Sequence, residues 1–210
     1  SVKLEFLMLL LLKYSKSKLR NSFFSLNISN NLTESCINNI LDFILIIMQI
    51  IVKNNDTLIF DEFKFKCSVG KNGVTSKKKE GDKKSPRGTF SLGFLFFRKD
   101  RISKPNTKLK KIKLNANMGW CNDSKSKFYN KLIKKNRKLK HEKLFRKDNK
   151  YDLLIPINYN SFRPKKDKGS AIFLHLTNDY KGTLGCIALK KKDMLILLKL
   201  INRKTKIRII

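Results

Sequence analysis

Acidic residues are scarce in this 210-residue chain. Sixteen Asp and Glu stand against 48 Lys and Arg, a formal net charge of +32. Cysteine and histidine are also few. Cys36, Cys67, Cys121 and Cys186 show no C-x-x-C spacing, and His141 and His175 do not complete a zinc pattern. A dense disulfide scaffold is excluded by the same count, and the redox compartment stays open. Long apolar runs are missing as well. Ile40–Val52, broken by Asp42 and Gln49, falls short of the roughly eighteen residues that argue a membrane span, so no stable span is expected. Leu4–Leu12, followed by basic sequence from Lys13 to Arg20, has the outline of an export signal without a small-residue cleavage site, which makes it unconvincing as one.

The length suits one domain with a buried core, and the 41% hydrophobic content is ordinary for a globular protein. The positive charge has two readings. Neutralising phosphates would make the chain a nucleic-acid binder. A binding surface is usually clustered, Arg-rich and interleaved with aromatics. Here Lys dominates and is spread along the length with frequent Asn and Ile, as in an AT-rich coding sequence. The compositional reading is preferred and no nucleic-acid partner is expected. Residues 1–47 read as a poorly organised amino-terminal appendage, and Met48 opens the organised part, a single domain over 48–210.

From there the apolar period is two. Ile50–Lys53 and Thr57–Phe60 flank Asn54-Asn55-Asp56, a hairpin signal. Phe63, Phe65, Cys67 and Val69 alternate with polar residues, so Cys67 is expected on the core face of a strand. Ser85–Phe90 reads as a turn, Leu92–Phe97 and Leu109–Leu114 as strands, and Phe128–Lys143 as polar, basic connection carrying a surface His141. Tyr151–Ile157, Ala171–Leu174 and Lys206–Ile210 read as strands, and Asp193 helps start a helix over Met194–Ile201. The expected fold is mainly β with short helices, one near the carboxyl terminus. Trp120, the only tryptophan, sits in Met118-Gly119-Trp120-Cys121-Asn122-Asp123 and reads equally as a pocket wall or a core anchor.

The chemically densest stretch is Ser170–Leu189. Its first apolar run ends on His175, and after a polar loop Gly185 places Cys186 directly before a second apolar run. A thiol attacks as thiolate, and an adjacent imidazole takes its proton. Gly185 permits a sharp turn and the close approach of a carbonyl, with nearby amides forming an oxyanion hole. A buried strand cysteine and a satisfied core histidine are the alternative from the residues alone.

This stretch resembles the active-site signature of the L,D-transpeptidases with a YkuD-type catalytic domain. His175 and Thr183-Leu184-Gly185-Cys186-Ile187-Ala188-Leu189 fit it in order, and Ser85-Pro86-Arg87-Gly88-Thr89-Phe90 matches the family's Thr-Pro-x-Gly-x-Phe segment with Ser for Thr. Met118–Asp123, Tyr151-Asp152 and Gly169–His175 are similar to a compact bacterial branch of it. Leu184 stands where many members have a second His. The resemblance implies a YkuD-like β-sandwich, Cys186 as nucleophile and His175 as general base. It also implies an oxyanion and substrate site around Gly185 and Cys186, with Thr183 shaping the loop and Trp120 as a pocket wall. It implies no metal or organic cofactor. The implied substrates are peptidoglycan stem peptides, donor and acceptor, cross-linked through a thioester in the periplasm or cell envelope for wall synthesis and cell shape. The alternatives are an L,D-carboxypeptidase or amidase using water, or a basic nucleic-acid-binding protein with an inactive site.

Overall fold

In the computed structural model the described residues are 49–210, apart from 55, 136 and 137. The appendage and domain start expected at residues 1–48 lie outside them. The expected hairpin is present: β1 (Gln49–Lys53) and β2 (Thr57–Phe60) pair antiparallel, with Val52 opposite Leu58. β3 (Phe63–Lys66) turns Phe65 inward and Lys64 and Lys66 outward. Cys67 follows it fully buried, and burial with nearby Asp56 pushes its thiol up to about 12, so it is an inert core residue.

Ser85–Phe90 is extended rather than a turn. β4 (Val74–Thr75) and β5 (Ser85–Pro86) pair parallel, and β6 (Gly88–Ser91) joins a larger sheet. Gly88 opens β6 at φ +138°, a backbone conformation that residues with a Cβ rarely adopt. Because β5 is only two residues long, the missing Pro86 N–H costs no long ladder.

β7 (Leu95–Phe97) and β8 (Lys111–Lys113) follow, then β9 (Met118–Cys121), β10 (Leu132–Lys134) and β11 (His141–Lys143). The last two fall in the stretch expected to be connection. They carry no apolar alternation, and they exist because each pairs antiparallel with β9, whose Gly119 and Cys121 are buried between them. Tertiary pairing overrides a Lys-rich sequence here. β12 (Leu153–Pro156), β13 (Phe173–Leu176) and β14 (Ile187–Leu189) lead into α1 (Lys191–Leu200) and β15 (Lys206–Ile209). The helix begins three residues before the expected Met194, since Lys191 and Lys192 are good helix formers and Asp193 sits in its first turn. β13 is displaced towards its carboxyl end relative to Ala171–Leu174, because Ala171 adopts φ +52° and cannot enter the ladder.

Two five-stranded sheets dominate, ordered β3-β2-β1-β15-β6 and β14-β13-β12-β7-β8, with β10-β9-β11 beside them. Ile50, Val52, Ile207 and Ile209 of the first sheet share one core with Leu153, Ile155, Leu174 and Ile187 of the second and with Met194, Leu197 and Leu198 of α1. The opposite face of the second sheet builds another cluster from Phe96, Leu154, Phe173 and Cys186, against which Met118 and Trp120 pack. This sheet is therefore covered on both faces, which is why Leu95–Phe97 and Leu153–Ile155 read as continuous apolar runs.

Leu174→Ala in β13 removes a fully buried side chain from the main core and is expected to cost about 2–5 kcal/mol in urea unfolding. Ile133→Ala, half-buried in β10, should cost clearly less.

Candidate active site

β13 and β14 run parallel, with Leu174 opposite Ile187 and His175 opposite Ala188. Side chains alternate, so Leu174 and Ile187 enter the main core while Phe173, His175, Cys186 and Ala188 share the other face. Carried back one residue, the register sets Cys186 against Phe173, whose amide lies 3.3 Å from the sulfur. His175 is then the diagonal neighbour of Cys186, a separation of roughly 7–8 Å between Cα atoms that side chains span.

The loop before Cys186 is closed by its own hydroxyl. Thr183 Oγ1 accepts the Gly185 N–H at 3.0 Å and donates to the Cys186 carbonyl at 2.6 Å. Gly185 has φ +134°, and a Cβ there would stand 2.8 Å from the Lys84 carbonyl oxygen, so no other residue fits. Ser85 ties this turn to the rest of the chain. Its fully buried hydroxyl accepts the Gly70 N–H and donates to the Gly185 carbonyl, both at 2.9 Å. The position Ser85 thus fixes the turn that carries Cys186.

Behind the site stands Asn130, buried and at φ +56°. Its Oδ1 accepts from Trp120 Nε1 (2.8 Å) and from the Ala171 amide (3.0 Å), while its Nδ2 donates to the Tyr159 and Asn160 carbonyls. The Ala171 carbonyl in turn accepts the Cys186 thiol at 3.3 Å. Trp120 is pinned by this bond and by an edge-to-face contact with Phe173 at 5.2 Å. It supports Phe173 and lies outside the lining of the cleft that holds His175 and Cys186, where the family resemblance implies a wall and the residues alone fit a core anchor equally.

His175 Nδ1 lies 2.8 Å from the Leu176 carbonyl oxygen, so Nδ1 carries the proton and Nε2 is the basic nitrogen. Burial lowers its pKa to about 4, against a smaller upward pull from that carbonyl. Burial likewise raises the Cys186 thiol to about 12, although the Phe173 amide favours the thiolate. The pair therefore rests neutral. The hydrogen bonds of Cys186 Sγ among the described residues go to Phe173 and Ala171, not to the imidazole.

Both side chains line a cleft of about 580 Å³. Lys78, Lys140, Arg146, Lys150 and Lys181 outnumber Glu80, Glu142 and Asp179 on its walls. Lys78 is ion-paired with Asp82 at 2.5 Å and Arg146 with Asp148 at 2.6 Å. Leu184 is 71% exposed at the rim. His141 sits apart, half-buried on β11 with Nδ1 against the Leu139 carbonyl. Among the described residues no cluster of His, Cys, Asp and Glu has metal-binding geometry.

Residues 48–209 match the family described as YkuD, the L,D-transpeptidase catalytic domain. The chain belongs to this family. No curated protein matches the sequence. Among solved structures, the helical cell shape determining protein Pgp2 from Campylobacter jejuni is similar at 16% identity and a TM-score of 0.43, over 77% of this chain and 46% of Pgp2. An L,D-transpeptidase from Mycobacterium smegmatis is similar at 11% identity and a TM-score of 0.37, over 77% of this chain and 58% of that one. The chain thus spans about half the length of these solved structures.

Within this YkuD domain the structure adds residues to which the sequence reading gave no role. Ser85 and Tyr151 stood in matched segments without a function, and Asn130, Lys78 and Glu142 lay in Lys-rich sequence without an apolar or motif signal. Asn130 is the buried polar hub that joins Trp120 to Ala171.

Ser85→Ala leaves the buried Gly70 N–H and Gly185 carbonyl without their shared partner, and is expected to lower stability by about 1–3 kcal/mol in urea unfolding. The pH dependence has a definite sign. The His175 pKa is near 4 folded and 6.5 unfolded, so the unfolded chain binds the extra proton between those values. Its contribution is complete above pH 6.5 and is lost as pH falls towards 4, at up to about 1.4 kcal/mol per pH unit. The Asp148 carboxylate, held low by Arg146, and Asp82, held low by Lys78 against its burial, add losses only as pH passes below their ordinary 3.8. His175→Gln should flatten the stability curve between pH 6.5 and 4, measured by denaturant midpoints across pH.

Proposed function

We propose that this YkuD domain is a cysteine-dependent acyltransferase that acts on peptidoglycan stem peptides in the cell envelope, with Cys186 as nucleophile and His175 as base. The observation that carries the reading is the shared face of β13 and β14, which sets a thiol and an imidazole in one cleft with a defined tautomer.

The chemistry runs from a neutral pair. The thiol rotates away from the Ala171 carbonyl, and its proton passes to His175 Nε2 as the sulfur bonds to the carbonyl carbon of an L,D-peptide bond. Because thiolate and imidazolium are each disfavoured alone in this buried setting, proton transfer and attack are coupled, and the two charges stabilise one another. The Phe173 amide, 3.3 Å from the sulfur, favours the thiolate. Gly185 N–H is already engaged by Thr183, so the Cys186 amide takes the oxyanion role that the sequence reading shared between them. His175 then gives its proton to the leaving amine as the C–N bond breaks, and a thioester on Cys186 remains. An amine from a second stem attacks the thioester, forms the cross-link and returns the sulfur to the thiol.

The cleft's cations fit this substrate class. Lys140 and Lys150 form no ion pair among the described residues, and stem peptides carry carboxylates. Long-range attraction by the whole chain's positive charge adds to the encounter rate and weakens with salt.

The test is incubation with purified disaccharide-tetrapeptide followed by mass analysis. Wild type is expected to give a cross-linked dimer, and Cys186→Ala no product. His175→Gln should lose at least about a hundredfold in rate. A tripeptide without dimer assigns water as the acceptor, and a Cys186→Ala variant as active as wild type overturns the mechanism.

A further inference from the structure

Tyr151 packs against both His175 and Phe173 and has no role in the chemistry above. It lines the cleft, and its ring stands 5.2 Å from the His175 ring at 69° and 5.8 Å from Phe173 at 84°. Its hydroxyl is not left to the core: it donates to Glu142 Oε1 at 2.8 Å, and Glu142 also faces Arg146 at 3.7 Å. The Arg146 guanidinium lies over the Tyr151 ring at 5.0 Å and is itself held by Asp148 through two hydrogen bonds. A buried tyrosine with a bonded hydroxyl and packed neighbours on several sides has little freedom to move.

The imidazole has two sources of orientation. One is the Nδ1–H bond to the Leu176 carbonyl, which selects the Nδ1–H tautomer only while the ring stays turned towards that carbonyl and does not by itself stop the ring from tilting away. The other is the Tyr151 ring, which closes one side of the imidazole. The charged groups around His175 do not substitute for this contact. Lys150 and Arg146 oppose its protonation and Asp148 favours it, yet none of the three is hydrogen-bonded to the ring.

We infer that Tyr151, anchored through Glu142, is a positioning residue that holds the His175 imidazole in the orientation and tautomer from which Nε2 takes the Cys186 proton. The inference rests on the proposed Cys186–His175 pair. It also gives the Glu142–Arg146–Asp148 cluster a purpose: it braces the hydroxyl end of the tyrosine whose ring end braces the base.

The chain's two histidines make this measurable. In a His141→Gln background the one remaining imidazole is His175, and ¹⁵N spectra of histidine-labelled full-length protein report its tautomer directly. The rate of iodoacetamide alkylation at Cys186, followed by site-resolved mass analysis, reports thiol activation without any substrate. The parent should show a single Nδ1–H tautomer. Tyr151→Leu should show averaged tautomers and alkylation slowed about tenfold, and Tyr151→Phe, which keeps the ring and loses the Glu142 bond, about threefold. A folded Tyr151→Leu protein that keeps one tautomer and alkylates within about twofold of the parent overturns the inference. If that variant does not fold, Tyr151→Phe decides, and unchanged spectra and rate overturn the inference equally. His175→Gln separates the two readings. Alkylation as fast as in the parent removes the base role of His175, while the Tyr151→Leu spectrum still decides whether Tyr151 holds the ring.

Discussion

Everything at this site depends on the parallel register of β13 and β14. With Leu174 against Ile187, the residues one step away from each face the opposite side, and these are His175 and Cys186. A slip of one residue would send the thiol into the aliphatic core and an apolar side chain into the cleft. The register is protected by what it buries. Leu174, Leu176, Ile187 and Leu189 all fill the main core, so a slip would expose a full row of large side chains. The same packing that holds the sheet together selects the face on which the chemistry sits. Ser68 adds a further constraint by exchanging backbone hydrogen bonds with Ala188 on the outer side of β14.

Register alone does not shape the turn that carries Cys186. The residues between the strands reach Cys186 through three short polar connections, each from a different part of the chain. Ser85 holds the Gly185 carbonyl, Thr183 ties the loop to itself, and Asn130 holds the Ala171 segment whose carbonyl meets the thiol. These groups are buried or half-buried and hydrogen-bonded, which makes the site stiff and makes each costly to truncate. They also explain why segments far apart in sequence matter together. Ser85 and Gly185 are separated by a hundred residues and joined by one hydrogen bond.

Much of the fold was legible because the sheets are ordinary where they face the main core. Phe65 against Lys64 and Lys66 announced a strand, and Leu153–Ile155 did so by being apolar throughout. The three-stranded sheet was not legible. Leu132–Lys134 and His141–Lys143 carry no alternation, and only the central partner Met118–Cys121 makes them strands. Of the site, His175 and Cys186 stood out because a loop with Gly185 joined two apolar runs. For Trp120 the residues alone left pocket wall and core anchor equal, since rarity marks a residue without saying which side of it is packed; in the structure it packs against Phe173 and bonds Asn130. Tyr151 and Glu142 could not be linked from sequence, because nine positions separate them and the contact requires β11 to exist first.

The charge balance around the pair constrains how it can work. Lys150 and Arg146 bias His175 towards neutrality, and Glu142 biases Cys186 the same way, on top of a burial that already opposes both ions. An isolated thiolate or an isolated imidazolium is therefore a poor intermediate here, whereas the two formed together offset each other at short range. In the proposed reaction, activation then depends on geometry more than on a standing charge, for a base that must act in one step needs its lone pair aimed before the substrate arrives. This places unusual weight on whatever aims the imidazole, and the contacts of that ring include Leu176 through its carbonyl and Tyr151 through its side chain. The high Lys content, so prominent in the composition, would enter the proposed chemistry through the few cations that line the cleft. In the proposed reaction the rest act at a distance, on the approach of an anionic substrate rather than on the bond that is broken.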